Sequence, residues 1–160
     1  MSEKQLREMV DGASDWALKC FKQEGAVAQV WFAVTAGGDR FAVPSPVPGN
    51  PDLSVIMIRA LFELRDVVRY VFVSEAWTVL TSDLGDVEKA RRFGARSHPD
   101  RVEVVALSGE DQESRQLTAR RRIIRPQKAK AYLGPLEWDE PWDQSEGRVV
   151  GLLPIKGAMQ

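Results

Sequence analysis

The chain has one cysteine, one histidine and almost no net charge. With Cys20 alone there is no intramolecular disulfide and no multi-cysteine metal or redox motif, which points to a reducing compartment, the cytoplasm. With His98 alone there is no HExxH site, no two-histidine facial triad and no multi-histidine zinc centre. What remains is carboxylate-held Mg²⁺ or Mn²⁺ chemistry, or a lone histidine base. A formal net charge of -1 gives no global positive field to steer the whole molecule onto nucleic acid or anionic lipid. No run approaches the roughly 18 consecutive apolar residues of a membrane span. The opening "MSEKQLREMVDGASDW" interleaves acids with bases, so neither a signal peptide nor a transit sequence is expected. Internal repeats, low-complexity linkers and the GxGxxG, GxxxxGK[ST] and GxSxG patterns are absent.

What is there reads as an ordinary folded domain. A chain of 160 residues, 44% hydrophobic and 28% charged, can bury roughly 70% of its unfolded surface without a staple. From Leu6 to Phe21 the apolar residues recur at helical spacing and Gly25 is a natural stop. Cys20 lies on the apolar face, where a packed thiol is expected. Val27 to Ala36, the turn Gly37-Gly38-Asp39-Arg40 and "FAV" read as a β-hairpin. Pro44, Pro46, Pro48 and Pro51 impose an extended crossing. Asn50-Pro51-Asp52 is a helix start, with a cap, a proline at the first position and an early acid. That helix is expected to run to about Asp66, polar only along a narrow stripe, and so to be enclosed on several sides or to face a partner.

Val67 to Leu80 is the strongest strand, apolar on both faces and therefore central. Thr81 to Asp100 is polar, with a short helix expected near Asp86 to Phe93, and reads as a lid or functional loop. "RVEVVALS", "RQLTARRRIIR", "KAKAYLGPLEW" and "RVVGLLP" read as four more strands. These elements predict an α+β fold: a single domain over residues 1–155, with a mostly antiparallel sheet of about six to seven strands and two main helices packed on one face. Residues 156–160 are expected to form a flexible tail.

Two constellations carry chemistry. The first is "SHPDRVE", Ser97 to Glu103, with Glu75 across the sheet. His98, Asp100, Glu103 and Glu75 at one rim would supply an acid-base pair or a single metal site, and so a metal-dependent hydrolase acting on a phosphate-containing substrate. The same residues also serve as the polar entry to a strand, with Arg101 and Glu103 pairing along one face or across the sheet. A nuclease would want a lysine near Glu103, and "DRVEVV" has none.

The second is the acid-free run from Arg115 to Lys130, with Arg115, Arg120, Arg121, Arg122, Arg125, Lys128 and Lys130. Alternation places Arg115, Arg121 and Arg125 on one face and Arg120 and Arg122 on the other. The segment "EWDEPWDQSE", with Glu137, Asp139, Glu140, Asp143 and Glu146, can neutralise this strand, and Trp138 and Trp142 can stack on guanidiniums. Left unneutralised, the strand would track phosphates or dock a protein of complementary charge. The expectation taken forward is a non-enzymatic protein that binds another protein or its own copy. Its contacts are Arg120, Arg121, Arg122, Trp138 and Trp142, and no cofactor or metal is implied. The hydrolase and a nucleic-acid-binding accessory factor are the alternatives.

Overall fold

The computed structural model describes residues 3–79, 99–139 and Leu153. Helix α1 (Glu3–Glu24) buries Leu6, Val10, Ala13, Ser14, Ala17 and Phe21, a set whose three- and four-residue spacing draws one stripe down the helix. It ends where Gly25 turns to φ 73° and donates its N–H to the Phe21 carbonyl at 2.8 Å. The hairpin of β1 (Val30–Thr35) and β2 (Arg40–Pro44) follows, closed by Gly38 at φ 90°.

Helix α2 (Pro51–Leu64) starts as its sequence dictates: Asn50 Oδ1 accepts from the Leu53 N–H at 3.1 Å and Pro51 opens the first turn. Buried Ser54 accepts from the Val47 N–H at 3.0 Å and donates to the Val47 carbonyl at 2.9 Å. The first turn of α2 thereby holds the proline-rich crossing. Asp66, at φ 54°, separates the helix from β3 (Val67–Val79). Strands β4 (Arg101–Asp111), β5 (Gln116–Ile124) and β6 (Tyr132–Trp138) continue as a meander. The sheet order is β2-β1-β3-β4-β5-β6, antiparallel throughout.

The α+β single domain is as expected, with one correction: the two helices lie on opposite faces of the sheet. Val30, Val71, Val73, Val105, Leu107 and Ala119 pack under α1. Trp31, Ala33 and Tyr70, their neighbours by alternation, pack with Val55, Ile58 and Phe62 of α2. The physical reason is in β1 and β3 themselves, whose two faces are both apolar, so each face needs its own cover. Gly109 fits the α1 side because an added Cβ would lie 2.9 Å from Val10 Cγ2 and 3.1 Å from Leu6 Cδ1.

The strand expected at "RVVGLLP" falls outside the described residues except for Leu153, which is buried in the α2 cluster. The short helix near Asp86 to Phe93, all of the 81–100 stretch but Pro99 and Asp100, and the tail also fall outside them. No helix among the described residues is long and apolar enough to cross a membrane.

Candidate functional site

The basic strand is matched by acids from within the chain. Arg122 forms a two-pronged pair with Glu137, Nε to Oε2 at 2.9 Å and Nη2 to Oε1 at 3.1 Å. Arg120 pairs with Asp139, whose other oxygen accepts from Thr118 Oγ1 at 2.8 Å. Arg115 holds Asp111 at 2.7 Å and Glu113 at 3.2 Å. Arg121 points the other way: its Nε–H donates to Ser14 Oγ on α1 at 2.7 Å and its Nη1 to the Gly134 carbonyl at 2.9 Å. Of the residues read as contacts, Arg120 and Arg122 share one face with Glu137, while Arg121 and Trp138 sit on the α1 face. Trp138 carries the Arg7 guanidinium 4.2 Å above its ring. Trp142 lies outside the described residues. Glu137 and Asp139 belong to the acidic segment that the sequence offered as the strand's counter-charge.

The carboxylates of the first constellation are only partly brought together. Glu75 stands opposite Val105 and Glu103 opposite Trp77 on neighbouring strands, so both project from the same face. Glu75 is exposed, which removes the burial cost that would have demanded a partner. Glu103 receives a fork from Arg125, Nε to Oε1 at 2.8 Å and Nη2 to Oε2 at 2.9 Å. This hydrogen-bonded guanidinium holds the Glu103 carboxyl below its ordinary range, and Arg125 is shifted upward by the same bond. Both Glu103 oxygens are therefore engaged, and a metal would have to displace Arg125. Arg101 lies 5.1 Å from the Trp77 ring, and Asp100 sits in an exposed turn. His98 lies outside the described residues. Among the described residues no group of three or more His, Cys, Asp or Glu is placed to hold a metal ion.

A third surface is more conspicuous than either. The side of α2 turned away from the sheet exposes Leu53 at 41%, Ile56 at 62%, Met57 at 45% and Leu64 at 82%. With Ala60, the positions 53, 57, 60 and 64 repeat at the four-three-four spacing of a helix-packing seam. Asp52, Arg59 and Glu63 are confined to one border of it. Most surface helices place charge where α2 places these side chains, and grouped apolar exposure marks an interaction site. The sequence signalled this surface through the narrowness of the polar stripe. It could not say which apolar side the sheet would leave uncovered.

The chain matches no family model, no curated protein and no solved structure.

Proposed function

We propose that this protein works by binding another protein or its own copy, and that the outer seam of α2, Leu53, Ile56, Met57, Ala60 and Leu64, is the contact surface. The carrying observation is the exposure of these side chains at helix-packing spacing. Burying them against a partner removes apolar surface from water at about 25 cal/mol per Å². The arginines of β5, engaged with Glu137, Asp139 and Ser14, would have to break internal pairs before meeting a partner or a phosphate. This moves the proposed contact away from Arg120, Arg121, Arg122 and Trp138 and leaves no specific support for nucleic-acid binding. The Arg125 fork on Glu103 likewise gives the hydrolase reading no support.

The test is a nuclease-treated pull-down from the native host, run beside sedimentation of the purified chain. An Ile56→Asp/Leu64→Asp variant is compared with Arg120→Glu/Arg122→Glu. The expected result is a bound protein, or a mass above the 17.9 kDa monomer, that is lost in the α2 variant while its circular dichroism is unchanged. A partner retained by the α2 variant and lost in the arginine variant returns the contact to β5 and overturns the proposal.

A further inference from the structure

On the other face of the sheet, α1 does not close fully onto the hairpin. A cleft of about 370 Å³ opens between them, within the roughly 300–1,000 Å³ range of small-molecule sites. Met9, Gly12 and Ala13 line it from the helix, and Phe32, Val34 and Ala42 from the strands. Trp16 meets Phe32 edge-on at 5.0 Å, stiffening that wall. The lining is apolar, and the charged residues that reach it are Glu8 and Arg40, both exposed and so at its mouth.

Two features set this cleft apart from loose packing. Gly12 stands in the interior of α1, where glycine is among the poorest helix formers, and an added Cβ there meets nothing within 4 Å. Gly12 is exposed at the rim of the cleft, so a larger residue there would improve the helix and narrow the opening that glycine leaves. Second, Arg40 forms no hydrogen bond or ion pair with any described residue, unlike the arginines of β5. It projects from the same side of the hairpin as Val34, its cross-strand partner.

We infer that the cleft between α1 and the β1–β2 hairpin binds a small molecule with an apolar body and a single carboxylate, the body lying over Gly12 and the carboxylate on Arg40. A planar guanidinium matches a carboxylate through two parallel hydrogen bonds. Glu8, across the mouth and 4.0 Å from Lys4, disfavours a dianion such as a phosphate monoester. This site is separate from the α2 seam, on the opposite face, and does not depend on it.

The experiment is an amide NMR titration of the full chain with decanoate below its aggregation threshold, beside decanol and decyl phosphate. Saturable shifts at Gly12, Val34 and Ala42 are expected with decanoate, and weaker ones with the other two. Arg40→Gln should weaken decanoate about tenfold, the worth of a charge-assisted hydrogen bond, and leave decanol unchanged. Gly12→Leu should abolish binding of both while the thermal midpoint holds or rises, and Ala42→Phe should do the same from the strand side. The inference is overturned if decanoate gives no saturable shifts at these amides, or if Gly12→Leu and Ala42→Phe bind it as well as the parent chain. Decanol or decyl phosphate binding as tightly as decanoate overturns the assignment of the carboxylate to Arg40.

Discussion

Arg121 of β5 donates its Nε–H to Ser14 Oγ of α1 at 2.7 Å, and Ser14 is fully buried. A guanidinium that faces the helix and also reaches the Gly134 carbonyl ties α1, β5 and β6 together. Arg122, one residue on, faces the other way and pairs with Glu137 in an exposed position. Arg121→Ala is therefore expected to lower stability by about 1.5–3 kcal/mol, the worth of hydrogen bonds to a charged group. Arg122→Ala should cost under about 1 kcal/mol, as exposed pairs do. Urea unfolding of both variants measures the contrast, and equal losses would sink it.

Gly109 offers a packing test. Its α-carbon lies under Val10 and Leu6, leaving no room for a methyl group. Gly109→Ala is expected to destabilise by about 1–3 kcal/mol through overpacking. Gly109→Ala and Val10→Ala together should cost less than the sum of the two single variants, because Val10 Cγ2 is the nearest obstruction and the added methyl fills part of the space that the valine leaves. Simple additivity of the two losses would place the strain elsewhere.

The Glu103–Arg125 fork predicts a pH dependence with a definite sign. The folded-state carboxyl of Glu103 lies below its ordinary value, chiefly through the Arg125 hydrogen bond. Its contribution is fully present above the unfolded-state carboxyl value and disappears as pH falls through the depressed folded-state one. The pair is half-exposed, so its worth is under about 1 kcal/mol. Arg125→Gln should lower stability at pH 7 and converge with the parent chain at acid pH. A constant difference across that range would show that the fork does not set the shift.

The α2 seam predicts substitutions that cost little. Leu64 is 82% and Ile56 62% exposed, so Ile56→Lys and Leu64→Lys should each change stability by less than about 0.5 kcal/mol. Ile58→Ala, on the buried side of the same helix and 0% exposed, should cost about 2–5 kcal/mol. Thermal melts of the three variants give the comparison, and a large loss at Leu64 would mean that its side chain is covered in solution.

How far these features were legible in the sequence depends on whether their cause is local. Gly25, Asn50, Pro51 and the Gly37-Gly38 turn act through their own backbone or their immediate neighbours, and each marks a boundary of the structure. The two-faced apolarity of Val67–Val73 announced a central strand, yet not that its two covers would be different helices. That depended on which face each helix took against the finished sheet, which no local pattern encodes. Charge balance between Arg120, Arg122 and the acidic segment was legible because the two segments are adjacent strands of one meander. The Arg125 fork on Glu103 joins residues 22 apart across the β4–β5 hairpin and needed the register. The α1–hairpin cleft left no trace in sequence beyond a single helical glycine.

Because β2 and β3 each run antiparallel to β1, they are parallel to one another, and the chain passes from one to the other through α2. The remainder of the sheet, β3 through β6, needs only contacts between successive strands. Its β4–β5 and β5–β6 ladders close loops of five and seven residues and its β3–β4 ladder one of 21, whereas the first β1–β3 pair, Thr35 with Val67, encloses 31 residues that include β2, the proline crossing and the whole of α2. Loop entropy sets both of these closures above the two tight turns, the β1–β3 one by about a few tenths of a kcal/mol more than the β3–β4 one. The sheet thus changes character at the β1–β3 boundary, with a meander of sequence neighbours on one side. On the other is a hairpin whose pairing with β3 encloses α2 and the crossing within one loop.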